Sequence, residues 1–170
     1  MEGGDKLLIF AVAGLRCALP LRDIERILRA VAISPVPQAP AIVMGLVNVQ
    51  GRIIPVLNIR RIFRLPETGI TLEDHLIIAR TAACPVALLV DAVYSVTEFD
   101  EQGIVSPEEL FPGIEYLQGV AKLENGIILI YSLDRFLSPE EEADTLRLLS
   151  QETPHPGCGE GTDDAEPCRP

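Results

Sequence analysis

Two stretches of this 170-residue chain repeat each other at a constant offset of 74. Gly45-Leu-Val leads on to Asn58-Ile59-Arg60-Arg61-Ile62-Phe63, and Gly119-Val-Ala leads on to Ser132-Leu133-Asp134-Arg135-Phe136-Leu137. Both spell glycine, strand, turn with glycine, strand and a capped short helix. Residues 7–21 and 76–91 echo each other more loosely as strand, turn, strand. Two such pairs in the same order predict two similar small β-units. With about ten short strands and few helices, paired small barrels fit better than a parallel sheet.

The clearest unit is VMGLVNVQGRIIPVLNIRRIF, residues 43–63. Alternation puts Val43, Gly45, Val47 and Val49 on one side of a strand and Met44, Leu46, Asn48 and Gln50 on the other, whose upper end is polar. Gln50-Gly51 is the reversal, with glycine free to take positive φ. Residues 52–57 return as a strand. Pro55 cannot donate a ladder hydrogen bond and implies an edge or a bulge. Asn58 is positioned to cap a helix carrying Ile59, Ile62 and Phe63. Nothing in the stretch is chemically reactive, so it has the character of a scaffold surface.

Around this unit, residues 6–13 are continuously apolar, as in a strand buried on both faces, and residues 17–19 form a short return strand. Pro20 suits the first position of a helix whose stripe is Leu21, Ile24, Ile27 and Leu28, with Arg22, Asp23, Glu25, Arg26 and Arg29 facing away. Residues 30–33 are a candidate strand, and the proline-rich segment 34–41 an ordered irregular loop. Strands follow at 75–80, 85–91 and 93–99. A polar loop occupies 100–113, with one helical turn at 107–110. Strands at 114–123 and 127–131 flank the hairpin signal Glu124-Asn125-Gly126. Ser132 is placed to cap a short helix over 133–137. Ser138-Pro139-Glu140-Glu141 starts a second helix with Ala143, Leu146 and Leu149 as its stripe. From residue 151 the chain is rich in Pro, Gly and acid and is expected to be a disordered tail after a single domain spanning 1–150.

The chemistry that is missing narrows the function. A net charge of −11 argues against nucleic acid as a partner. That charge is polarised: residues 1–66 carry a net +5, residues 67–137 a net −9 and residues 138–170 a net −7. The pattern fits either ordinary solvated faces or a molecule whose positive end meets an acidic partner. No run reaches the roughly 18 apolar residues of a membrane helix, and the N-terminus lacks the features of a secretory signal. Cys17, Cys84, Cys158 and Cys168 form no CxxC pair and read as reduced cytosolic thiols, with neither disulfide nor zinc site expected. His75 opens an apolar strand, His155 lies in the tail, and no nucleophile, base and orienter share a spacing signature. Asp91 and Asp134 read as solvated or capping groups. No phosphate-binding glycine motif is present, so no cofactor is expected. A β domain without reactive groups, but with polar turns and exposed strand edges, is more often a binding module than an enzyme.

GLVNVQGRIIPVLNIRRIF closely resembles the signature of the CheW family, G-x-x-N-[LV]-R-G-x-[IV]-x-P-[IV]-x-D-[LIV]-R. The resemblance covers residues 6–149. FAVAGLRCALPLRDIERIL is similar to the family's first hairpin and following helix, HLIIARTAACPVALLVDAV to its middle hairpin, and EYLQGVAKLENGIILIYSLDRFLSPEE to its last hairpin and C-terminal helix. The resemblance implies a mainly β fold, two five-stranded β-barrel subdomains around a shared hydrophobic core with a few short helices. It implies a non-enzymatic, cytoplasmic adaptor recruited to membrane-associated receptor arrays, coupling chemoreceptor signalling tips to the CheA-type histidine kinase in chemotaxis-type signalling. Carried over by position, Ile24 and Arg26 lie on the helix side of the receptor groove. Leu46, Asn48 and Gln50 lead into the signature turn, and Leu76 and Val86 line the groove from the middle hairpin. The chain departs from the pattern twice: Gln50 stands for the signature arginine, and Asn58 for the aspartate before the helix. Both charges become neutral amides, which points to a dedicated receptor–kinase set. A CheW-like regulator or decoy in a dedicated pathway is the alternative. A small-ligand-binding barrel or an unrecognised enzyme is the reading from another class.

Overall fold

The computed structural model describes residues 5–110, 112–114, 116–124, 126–136 and 139–152. One sheet has six strands: β1 (Asp5–Val12), β2 (Leu15–Pro20), β8 (Ala92–Phe99), β9 (Ile104–Val105), β10 (Leu117–Leu123) and β11 (Gly126–Tyr131), in the order β8-β1-β2-β11-β10-β9. The other has five: β3 (Ile24–Arg29), β4 (Val43–Val49), β5 (Arg52–Leu57), β6 (His75–Arg80) and β7 (Pro85–Val90), in the order β3-β6-β7-β5-β4. Helices are short at α1 (Ile59–Ile62) and α2 (Pro107–Leu110) and longer at α3 (Pro139–Glu152).

Each sheet curls around its own interior. Val47 and Val49 of β4, Ile54 and Val56 of β5, Leu76 and Ile78 of β6 and Ala87 of β7 fill the five-stranded one. Leu7 and Ile9 of β1, Ala18 of β2, Ala121 of β10 and Ile128 and Ile130 of β11 fill the other. The alternate side chains meet in a third core between the sheets, where Phe10, Cys17 and Leu19 from one pack with Leu57, Ile77, Val86 and Leu88 from the other. Strands buried on both faces explain the continuous apolar runs of β1, β6 and β7. The mainly β fold with two subdomains and a shared core is therefore as expected. In detail, one sheet has six strands rather than five, and no ladder joins β8 to β9 or β3 to β4, so both remain open. The sixth strand, β9, comes from the segment expected to be only a polar loop.

The 74-residue offset is visible in the backbone. The ladder slips between Val43 and Gly45 in β4 and between Leu117 and Gly119 in β10. A Cβ on Gly45 would sit 2.3 Å from the Ser34 carbonyl oxygen, and one on Gly119 would sit 2.5 Å from the Ile104 side chain. Glycine is thus required where a neighbouring segment crosses the bulge. After each bulge the return strand pairs in parallel with the outer hairpin's second strand, β5 with β7 and β11 with β2. The strand after each of those hairpins crosses into the opposite sheet: β3 pairs with β6 and β8 with β1.

Several local expectations are corrected. Pro20 ends β2 rather than starting a helix; a single 3-10 turn, Leu21–Asp23, leads into strand β3. Ile24 and Arg26 therefore lie on an edge strand, not on a helix. Residues 30–33 are not a strand, and only Ser34 forms an isolated bridge, to Leu46. Val43 does not share a face with Val47 and Val49: the bulge turns it into the shared core while they fill the interior of the five-stranded sheet. The inward residues of α3 include Thr145 and Leu149, whereas Ala143 and Leu146 are exposed. Pro55 does not lie on an edge strand, since β5 runs between β7 and β4; its missing N–H is tolerated because no ladder bond falls at that position. Leu46, its partner, exchanges both backbone hydrogen bonds with Ser34. Pro55 therefore turns its nitrogen away from β4, toward the side where pairing with β7 begins only at Val56. The Ser138 cap and Leu137 fall outside the described residues, as does the expected tail beyond Glu152.

Candidate partner-binding surface

The signature turn is a two-residue hairpin with Gln50 at φ 52° and Gly51 at φ 84°, the type I′ geometry that matches strand twist. Asn48 Oδ1 accepts from the Gly51 N–H at 2.8 Å and fixes the reversal. Gln50 is exposed, and its non-glycine left-handed backbone is a strained position that the turn imposes. Arg52, first residue of the return strand, donates through both terminal nitrogens to Glu25, at 2.7 and 3.3 Å. Arg80, at the end of β6, donates to the same carboxylate at 3.4 Å. Glu25 is the extra residue where the β3–β6 register shifts. Such a bulge re-aims a side chain, here across the end of the sheet toward the turn. Hydrogen bonds from Arg52 first and Arg80 second hold the Glu25 carboxyl below the usual range.

All seven expected site residues belong to the five-stranded sheet or its turn, and five of them lie on its edges or at its turn. Ile24 and Arg26 lie on edge strand β3, Leu46 and Asn48 on edge strand β4, and Gln50 on the turn. Ile24 is partly buried against the shared core and Arg26 is exposed. Leu46 and Asn48 border a shallow pocket of about 210 Å³ with Pro35, Val36, Pro37 and Ile53. Leu76 and Val86 lie on β6 and β7, inner strands of the same sheet. Both have no exposed surface, Leu76 inside the five-stranded sheet and Val86 in the shared core. A larger polar depression of about 570 Å³, lined among others by Arg22, Asp23, Glu108, Gln118 and Asp134, contains none of the seven. There burial pushes the Asp23 carboxyl up, with Arg22 opposing and Asp134 reinforcing.

Three polar arrangements tie the sheets and turns together. Asp91 is not merely solvated: it pairs with Arg60 and accepts the Ala13 N–H of the opposite sheet's hairpin turn. Asp134, as expected of a capping group, accepts the Ala82 N–H at 2.8 Å, again from the opposite sheet's turn. Glu25 and Arg52 stand 27 positions apart, and no pattern in a single sequence links them. Among the described residues no group of three His, Cys, Asp or Glu side chains could hold a metal ion. His75, at the head of β6, keeps Nδ1 buried without a hydrogen-bond partner.

Two curled sheets sharing a core, with polar turns and open edges at the surface, define a β-built interaction module. The chain belongs to the CheW family: the family model described as "CheW-like domain" matches residues 6–141. It is 27% identical over 145 residues to the chemotaxis protein CheW of Rhizobium meliloti, covering 84% of this chain and 94% of that one. Identity to the chemotaxis protein CheW of Bacillus subtilis is also 27%, covering 82% and 91%. The crystal structure of the scaffolding protein TtCheW from Thermoanaerobacter tengcongensis superposes with a TM-score of 0.73 at 26% identity, covering 81% of this chain and 90% of that one. No described helix is long and apolar enough to cross a membrane.

Proposed function

We propose that this protein is a non-enzymatic adaptor that couples the cytoplasmic tips of chemoreceptors to a CheA-type histidine kinase. The observation that carries this reading is the family match across residues 6–141, nearly all of the described two-sheet core. A receptor tip offers an apolar seam with charged flanks. A groove floored by Ile, Leu and Val with a polar rim suits it. Ile24, Arg26, Leu46, Asn48 and Gln50 are the proposed contacts, with Leu76 and Val86 shaping the groove from beneath. The adaptor works in the cytoplasm at membrane-associated receptor arrays. Co-purification from the host tests this: receptor and kinase should both be retained, and the adaptor should stimulate kinase activity when both are present. If neither is retained, the proposal fails.

A second reading, a regulator or decoy for a dedicated receptor–kinase set, is supported by the neutral Gln50 at the tip of the signature turn. A decoy would bind the kinase and block its stimulation.

A further inference from the structure

The two halves of the molecule carry one site twice, once filled and once open. The β1–β2 and β6–β7 hairpins correspond at an offset of 69, the pair Leu7 and Pro20 matching Leu76 and Leu89. The signature units correspond at 74, the pair Ile130 and Ala18 matching Val56 and Ala87. On these offsets Asn58, Arg60, Leu89 and Asp91, which line one small cavity, correspond to Ser132, Asp134, Pro20 and Arg22, which line the large polar depression. Each site binds the turn N–H of one hairpin through a carboxylate, Ala13 through Asp91 and Ala82 through Asp134. Arg60 and Asp91 pair with each other, whereas at the exchanged charges of the second site Arg22 reaches Asp5 instead, at 3.8 Å.

In the first site the chain plugs its own cavity. Glu67, Thr68 and Gly69 lie across it and leave a void of only about 20 Å³. Asn58 Nδ2 donates to Glu67 at 3.0 Å, and Arg61 Nε donates to the same oxygen. In the second site the chain runs on into α3, which packs against β5. None of the described residues of α3 lines the depression, and about 570 Å³ stays open. The donors that hold Glu67 nevertheless have counterparts there. Ser132, whose side chain makes no capping bond, stands for Asn58, and Arg135 stands for Arg61. Arg61 serves Glu67 and the Ala41 carbonyl together, so a guanidinium at this position holds a carboxylate alongside another acceptor.

We propose that the open depression is the docking site of the chain's own C-terminal acidic segment, with Glu160 taking the place that Glu67 has in the filled site. Glu160-Gly161-Thr162 carries the same three residue types as Glu67-Thr68-Gly69. The reach is sufficient. α3 begins at Pro139, close in sequence to the lining residue Arg135, and its 14 residues rise about 21 Å. Residues 153–160 fully extended span about 26 Å, enough to return along the helix. Tethering over such a distance raises the effective concentration to the millimolar range, so a contact of modest intrinsic strength is populated. The depression also holds Asp23 and Glu108, so a single carboxylate meeting Ser132 and Arg135 is favoured over a string of them. The inference does not depend on the adaptor reading.

Spin labelling of the full chain tests this. Cys17 and Cys84 are buried, so in Cys168→Ser protein a nitroxide thiol reagent attaches at Cys158, just before Glu160. The amide resonances of Gln118, Ser132 and Asp134 in the depression should lose most of their intensity, while those of Met44, Asn58 and Arg60 in the filled site keep theirs. Glu160→Gln and Arg135→Gln should each restore the depression's resonances, and raising salt from about 0.05 M to about 0.3 M should restore them in part. Unchanged resonances elsewhere show that each variant is folded. Broadening that misses the depression, spreads evenly over the surface or survives Glu160→Gln overturns the inference. A depression untouched by the label but shifted by a free peptide of residues 64–70 takes its segment from another chain, and this too overturns it. No readout involves receptor or kinase, so the adaptor reading stands or falls separately.

Discussion

Both carboxylate oxygens of Asp91 lie within 2.8 Å of one guanidinium nitrogen of Arg60, and one of them also accepts the Ala13 N–H at 2.8 Å. Asp91 follows β7 and Arg60 lies in α1, both attached to the five-stranded sheet, whereas Ala13 turns the first hairpin of the other. The Asp91 N–H also donates to the Ala11 carbonyl at 2.9 Å. One aspartate therefore ties the two sheets at the crossover between them. Its partner is well covered, the Arg60 side chain being 15% exposed. Asp91→Ala should cost about 3 kcal/mol in urea unfolding, because it leaves a largely buried cation unpaired. Arg60→Met combined with Asp91→Leu should cost clearly less. Equal losses in the two variants would show that the charge is not what matters.

The paired bulges differ in what crowds their glycines. At Gly45 a Cβ would meet backbone, the Ser34 carbonyl, whereas at Gly119 it would meet a side-chain atom, the Cγ2 methyl of Ile104. A side chain can turn away and a bridged backbone cannot. Gly45→Ala should destabilise by about 3 kcal/mol or more and Gly119→Ala by roughly 1 kcal/mol. Adding Ile104→Ala, which removes the crowding γ-methyl, should relieve the second and not the first. Denaturant midpoints decide this, and a reversed order would contradict the close approach at Ser34.

Which parts of the fold were legible follows from the same bulges. The 43–63 unit could be read because its turn, its cap and its proline each carry a local signal. The 74-residue repeat could be read because both copies need glycine at the same structural point. Strand β3 could not. Its bulge at Glu25 breaks the two-residue alternation, sending Ile24 to the shared core and Leu28 to the interior of the five-stranded sheet while Ile27 is 39% exposed. That spacing imitates a helical stripe. Strand β9 is two residues long and exists only through its pairing with β10. For Leu76 and Val86, strands buried on both faces offer no outward side for a linear pattern to pick out. The Glu25–Arg52 pair depends on sheet curvature, which leaves no trace in a linear pattern.

Asn58 has a local explanation. Its Oδ1 accepts the Arg61 N–H at 3.4 Å, as a capping residue does, and its Nδ2 donates to Glu67 at 3.0 Å. Glu67 also accepts from Arg61 Nε, and these two donors, Arg61 foremost, hold its carboxyl below the usual range. An aspartate at 58 would face Glu67 with a second carboxylate and lose the donated bond. Asn58→Asp should lower the urea midpoint, and Asn58→Asp with Glu67→Gln should return to near wild type. If Asn58→Asp alone stabilises the protein, Glu67 is not the reason for the amide.

The Cys17 thiol has no exposed surface and burial pushes its pKa from 9.0 up to about 12. The neighbouring Tyr131 hydroxyl is also raised, chiefly by burial and secondarily by Cys17. A group raised on folding stays protonated in the native state while its unfolded counterpart ionises. Its contribution is thus intact below pH 9 and declines from there toward pH 12. Between about pH 9 and pH 10.5 the thiol should account for up to roughly 2 kcal/mol of lost stability, at 1.36 kcal/mol per pH unit. Cys17→Ala should lower stability at pH 8 through the lost packing, yet show a shallower decline at alkaline pH than wild type. Native protein at pH 8 should also leave Cys17 unmodified by a thiol reagent, with labelling only on unfolding. Parallel alkaline declines in wild type and Cys17→Ala, or rapid native labelling of Cys17, would place the thiol outside the shared core.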